Sequence, residues 1–149
     1  MPLPNSENPK KGKEFENKVA SALRILYKKE FHTQAIPIGN PPKPHKFDLV
    51  SDDKSIVAEC KNYSWTETGN IPSAKMAFLN QAVLYLSHIS KEAKKIIVLR
   101  KDRHPKRKES LAEYYVRTYS YLLEEICIME FDVDKMVLER QGKAEGAVH

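Results

Sequence analysis

The sequence has few cysteines and no long hydrophobic run. Among its 149 residues are two cysteines, Cys60 and Cys127, which stand in separate apolar segments without a C-x-x-C spacing. This pattern argues against a disulfide framework or a cysteine zinc site, so we expect both thiols to be free and buried. No apolar run approaches the ~20 residues that span a bilayer. The N-terminal segment is polar where a secretion signal would be hydrophobic, and we therefore expect a cytoplasmic protein.

The composition is typical of one globular domain with a modest positive charge. Apolar residues make up 41% of the chain and charged residues 30%, which is unlike disordered or membrane proteins. The formal net charge of +5 favours an anionic partner such as nucleic acid. Charge alone does not decide this, because many proteins of similar charge bind no nucleic acid.

Periodicity divides the chain into a flexible leader over residues 1–11, one domain over residues 12–141 and a flexible tail over residues 142–149. The domain pattern predicts a helix from Gly12 to about Lys29 with an apolar stripe of Phe15, Val19, Ala22, Leu23 and Leu26, strands at 35–38, 47–50 and 55–63, and a helix over 73–90. It also predicts a strand over 94–101, a helix that Ser110 and Glu113 open with a capping box and whose stripe extends to Ile126, and a strand over 126–133. A hairpin joined to strands that are reached through helices predicts an α/β fold. We expect a mixed central β-sheet with helices on both faces.

The predicted hairpin carries two acidic side chains and a lysine. Residues i and i+2 of a strand share a face, so Glu59 and Lys61 point the same way. Antiparallel pairing brings Asp48 of the preceding strand opposite Glu59, at ~4.5–5.5 Å between β carbons. Two carboxylates this close repel each other unless a divalent cation lies between them, and such sites suit Mg²⁺ or Mn²⁺. The alternative is an ordinary solvated strand face, and Asp52 and Asp53 are interpreted as turn formers.

Asp48 followed by Glu59-Cys60-Lys61 resembles the PD-(D/E)xK nuclease superfamily, although the residue before Asp48 is not a proline. The segment from Gly12 to Glu16 resembles the G-x-x-x-E start of the first helix in the junction-resolvase and Mrr-like branches. The segment from Gln81 to Tyr85 resembles the Q-x-x-x-Y motif of RecB-type exonucleases, in which the two polar side chains support the lysine and the phosphate. The resemblance implies a restriction-endonuclease-like core.

The resemblance also implies a function, which is metal-dependent hydrolysis of DNA phosphodiester bonds by an activated water. An endonuclease is favoured, and an exonuclease stays an open alternative. It implies that Mg²⁺ or Mn²⁺ is held by Asp48, Glu59, the backbone carbonyl of Cys60 and Glu16, the last directly or through water. Lys61 would position the water or stabilise charge on the phosphate. Two alternatives stay open, namely a catalytically inactive nucleic-acid-binding or assembly protein on the same fold, and an unrelated α/β binding domain.

Basic residues cluster after the strand over 94–101 and before Asp48, and they predict sequence-independent contacts to DNA phosphates. The candidates are Lys43, Lys46, Arg100, Lys101, Arg103, Lys106, Arg107 and Lys108, and His45 extends this set. A solvated charged face is the alternative interpretation. Four tyrosines at 114, 115, 119 and 121 offer more aromatic surface than one helix stripe buries, which suggests a possible homodimer.

Overall fold

A computed structural model describes the backbone of residues 4–141 and the side chains of residues 9–141. Its elements are α1 (Pro4–Tyr27), β1 (Phe31–Ile38), β2 (Lys43–Ser51), β3 (Ile56–Lys61), α2 (Ser73–Leu86), β4 (Lys94–Arg100), α3 (Leu111–Tyr119), a 3₁₀ turn (Ser120–Leu122), β5 (Ile126–Asp132) and β6 (Val137–Arg140). Residues 1–3 of the predicted leader and the predicted tail lie outside the described residues. None of the described helices combines the length and apolar character that crossing a membrane requires.

The six strands form one sheet in the order β1-β2-β3-β4-β5-β6. Strands β3, β4 and β5 are parallel to one another, and the remaining neighbours are antiparallel. The predicted α/β class and mixed sheet are therefore confirmed. Sequence periodicity missed β6, because this strand has only four residues at the edge of the sheet and is mostly exposed, so it has no apolar alternation.

Helices cover both faces of the sheet, as predicted. On one face α1 packs through Phe15 and Leu23, and on the other face α2 and α3 pack through Leu79 and Tyr115. Strand β4 is buried from both sides, which explains its uninterrupted apolar run from residue 96 to residue 99.

Helix α1 is longer than predicted and differs at its apolar stripe. It begins at Pro4 rather than near Gly12, because the apolar period marks only the part of a helix that packs against the core. The stripe also includes Tyr27 and excludes Leu26, which is 52% exposed. Since successive helical residues point about 100° apart, packing of Tyr27 turns Leu26 towards solvent.

Helix α3 begins with the predicted capping box. The Ser110 hydroxyl accepts from the Glu113 amide at 3.1 Å, and the Glu113 carboxylate accepts from the Ser110 amide at 2.7 Å. The helix ends at Tyr119, earlier than the predicted stripe through Ile126, because β5 begins at Ile126.

The tyrosines of this region pack mainly within the protein. Tyr115 is fully buried, and Tyr114 and Tyr119 pack partly buried against the same core. Tyr121 is 71% exposed. The aromatic surface left for a homodimer is thus smaller than the sequence suggested.

A hydrogen bond of 2.7 Å from the Tyr115 hydroxyl to Asn80 Oδ1 joins α3 to α2. We predict that Tyr115→Phe lowers the free energy of unfolding by about 1–2 kcal/mol, because it leaves the half-buried Asn80 oxygen without its donor. Urea denaturation measures this change. Tyr121→Phe, at an exposed position, serves as the control, and equal urea midpoints for both variants would show that the bond contributes nothing.

Candidate active site

A β-bulge lies at Asp48, within β2. The pairing of β1 with β2 shifts by one residue at this point, so that Thr33 alone faces both Asp48 and Leu49. The Thr33 hydroxyl donates to the Asp48 backbone carbonyl at 2.9 Å and holds the bulge in place. Bulges re-aim side chains at the point where regular pairing stops. This one directs the Asp48 carboxylate towards β3.

The Asp48 side chain takes the place of a backbone acceptor at the end of β3. Regular β2–β3 pairing covers only the partners Leu49–Ala58 and Val50–Val57. Beyond them the Asp48 carboxylate accepts from the Cys60 backbone amide at 2.8 Å. This bond fixes the carboxylate beside Glu59, where the sequence predicted it.

Glu59 is buried next to Asp48 with little compensation. Its side chain is 6% exposed, and its Oε2 has no hydrogen-bond partner among the described residues. Burial is the largest cause that raises the pKa of Glu59 well above its usual range, and the negative charge of Asp48 is the next. The positive charge of Lys61 lowers this pKa only in part. In the metal-free protein Glu59 therefore favours its neutral form near pH 7.

A cavity of about 260 Å³ opens in front of Glu59. Glu59, Lys61 and Lys46 form its charged part. Its other lining residues are His45, Phe78, Gln81, Ala82 and Tyr85. The structure thus brings the predicted Gln81 and Tyr85 to the same cavity as Glu59 and Lys61.

Two further residues belong to this site. His45, which the sequence predicted as an extension of the phosphate contacts, stacks on Tyr85, with ring centroids 3.9 Å apart and planes at 25°. Tyr63, which the sequence analysis did not assign, lies close enough to Asp48 and Glu59 that burial, followed by their charges, raises its pKa to about 12. The i, i+2 spacing from Glu59 and Lys61 is the sequence signal for Tyr63, although β3 ends at Lys61. The contact of His45 with α2 has no local sequence signal.

Glu16 reaches the region from α1. Its carboxylate accepts from Lys13 at 3.1 Å and from the Thr33 hydroxyl at 3.2 Å. Burial, followed by the charges of Asp48, Glu16 and Glu59, raises the pKa of the Cys60 thiol. Glu16 is thus electrostatically coupled to the site. Within residues 9–141, however, no group of three or more His, Cys, Asp or Glu side chains is arranged to hold a metal ion directly.

The two aspartates of the β2–β3 turn have a local role. Asp53 accepts from the Ser55 amide at 3.0 Å and from the Ser51 hydroxyl at 2.8 Å, and it pairs with Lys29. Asp52 lies 3.6 Å from His32 on the surface. These contacts agree with their interpretation as turn residues.

The candidate phosphate-binding residues differ in their contacts. Lys101 lies 3.6 Å from Glu139, and Arg103 lies 3.5 Å from Glu113. Arg100 is partly buried, with no hydrogen-bond partner for its Nε in the described part of the chain. Four lysines of the set are exposed, namely Lys43, Lys46, Lys106 and Lys108.

Arg107 connects the basic loop, residues 101–110, to the loop that follows β3, residues 62–72. Its guanidinium stacks over Trp65 at 4.2 Å and donates to the Gly69 carbonyl at 2.8 Å. Asp102 accepts from the Trp65 amide at 2.9 Å, and the His104 ring lies 2.7 Å from the Glu67 carbonyl. Trp65 is 4% exposed and serves as a packing anchor. The two loops are therefore one connected structure.

Comparisons with family models, characterised proteins and solved structures give no match for this chain. The nuclease resemblance stays a prediction from the sequence motifs.

The crowded carboxylates predict a pH-dependent stability. A carboxyl whose pKa is higher in the folded than in the unfolded protein destabilises the fold increasingly as pH rises above the unfolded value of about 4.3. In EDTA, Glu59→Gln should therefore raise the free energy of unfolding by about 1–3 kcal/mol at pH 8, and this gain should disappear near pH 4. Urea titrations across this range measure the difference. The exposed Glu124→Gln is the control, and a gain independent of pH would contradict the prediction.

Proposed function

We propose that the protein is a Mg²⁺- or Mn²⁺-dependent DNA nuclease of the PD-(D/E)xK type with a restriction-endonuclease-like core. One observation carries the proposal. Asp48 is held at the end of β3 beside the buried Glu59, and Lys61 lines the same cavity.

The donor atoms fit a hard divalent cation. Glu59 Oε2 is buried without a partner, and the neighbouring Asp48 carboxylate repels it. A cation between the two side chains would give Glu59 Oε2 a partner and offset the repulsion between the two carboxylates. Mg²⁺ commonly uses one or two protein carboxylates and keeps several waters, so a third direct side-chain ligand is not required. The Cys60 carbonyl would complete the protein ligands, and Glu16 would act through water.

A bound cation supplies Lewis-acid activation of the attacking water and neutralises charge on the phosphate. The ammonium group of Lys61, on the same strand face as Glu59, would donate to a phosphate oxygen or orient that water. Such preorganised charge is most effective where water is excluded, and Glu59 beside it is buried. Gln81 and Tyr85, which line the same cavity, would hold the phosphate against Lys61.

We predict that the protein nicks plasmid DNA with Mg²⁺ or Mn²⁺ but not with EDTA, and that Asp48→Ala and Lys61→Ala each reduce the rate at least about 100-fold, because each removes charge from the reacting centre. Gel electrophoresis measures the nicking.

Two control variants match these substitutions. Asp52→Ala removes a carboxylate from the β2–β3 turn, at the opposite end of β3 from Lys61. Lys91→Ala removes a lysine at that same end of the sheet, since β3 and β4 run parallel and β4 begins at Lys94. Both should cleave like the wild type. An inert wild type that still shifts DNA in a gel would favour the binding-only alternative.

Substitutions in the basic loop should distinguish residues that bind DNA from Arg107, which stabilises the fold. Arg107→Ala should lower the free energy of unfolding by about 1–2 kcal/mol, because it removes the Trp65 stack and the Gly69 hydrogen bond. Lys108→Ala should leave stability unchanged but reduce the slope of log affinity against log salt by about 1, as for one lost phosphate contact. Fluorescence anisotropy at several salt concentrations measures this slope. Lys135→Ala, in the β5–β6 turn, is the control, and an identical effect there would exclude a specific contact at Lys108.

A further inference from the structure

The part of the cavity away from the carboxylates has an aromatic wall. Phe78, Ala82 and Tyr85 are spaced i, i+4 and i+7, so they share one face of α2, which overlies the end of β3. His45 of β2 extends the wall, because it stacks on Tyr85.

Two side chains of this wall lack partners in the protein. Phe78 is 50% exposed, and no ring stacks on it among the described residues. Gln81 is exposed, and across residues 9–141 no hydrogen bond engages its amide. A half-exposed aromatic ring beside a free amide offers stacking and hydrogen bonding to a flat, polar-edged group.

The size and position of the cavity restrict that group. At about 260 Å³ the cavity is small for a ligand site, so it suits a single nucleotide better than a length of duplex. Lys46 and Lys61 lie at the charged part, where a phosphate of the same nucleotide would lie. An aromatic surface beside positive charge is typical of proteins that bind single-stranded nucleic acid.

We propose that this cavity receives a single unstacked nucleotide of DNA next to the scissile phosphate. Its base stacks on Phe78 and hydrogen-bonds to Gln81, so that single strands, flaps or frayed ends are preferred to intact duplex. This inference rests on the proposed function, because it takes DNA as the ligand. It adds the class of DNA substrate, which is single-stranded or frayed DNA.

The experiment measures binding in EDTA, where cleavage does not interfere. Anisotropy compares a labelled single-stranded oligonucleotide with a blunt hairpin duplex of the same sequence. We expect the wild type to bind the single strand at least about tenfold more tightly. Phe78→Ala should lose about tenfold in single-strand affinity and leave duplex affinity unchanged, because base stacking on one ring has about this value.

Leu84→Ala is the matched control. Leu84 is also an exposed apolar residue of α2, at 58% exposure, but it lies about 120° around the helix from Phe78. The Leu84→Ala variant should bind the single strand and the duplex with the affinity of the wild type.

Each other outcome has a defined meaning. Equal affinity for strand and duplex, or equal effects of Phe78→Ala and Leu84→Ala, would overturn the nucleotide site even if metal-dependent cleavage is observed. Sedimentation showing that Phe78→Ala dissociates a dimer would also overturn it, because Phe78 would then serve a protein contact. Absence of cleavage with the single-strand preference intact would refute the nuclease and leave the nucleotide site supported.

Discussion

The close approach of two carboxyl groups at the end of one strand is the constraint on which the rest of the site depends. The Asp48 carboxylate is tied to the Cys60 amide and cannot move away from Glu59 without breaking that bond. Glu59 in turn is buried and cannot turn to water. The protein thus keeps two carboxyl groups together, and near pH 7 Glu59 stays neutral rather than bring a second negative charge beside Asp48. A positive ion is the simplest partner that would let both ionise.

This arrangement sits at the carboxyl edge of the parallel strands, and the fold concentrates polar chemistry there. Strands β3 and β4 end side by side, so the loop after each begins close to Lys61. Helix α2 then crosses this edge and brings Gln81 and Tyr85 to the cavity. Open α/β sheets bind ligands at this edge, because the strand ends and the intervening loops leave a crevice there. The candidate site follows from the sheet order as well as from the motif.

The sequence predicted the features that depend on a local residue pattern. It missed the features that depend on how separate strands and loops align. The alternation of Glu59 and Lys61, the buried run of β4 and the capping box of Ser110 are local signals, and the structure agrees with each. The bulge at Asp48 depends on how two strands align, which no short pattern shows. Arg107 looked like one more surface cation, because its stack on Trp65 joins residues 42 positions apart. The nucleotide-sized cavity likewise requires three separate elements to meet.

Arg107 and Asp102 connect the two loops, and this connection limits where the chain accepts inserted residues. Loop tips ordinarily accept added residues because little depends on their path. Here an insertion between residues 102 and 107 would pull the guanidinium off the indole ring and loosen the segment that leaves Lys61. The tight turn at residues 133–136, at the far end of the sheet order, has no such tether to the cavity and is the more permissive place to lengthen the chain or attach a tag.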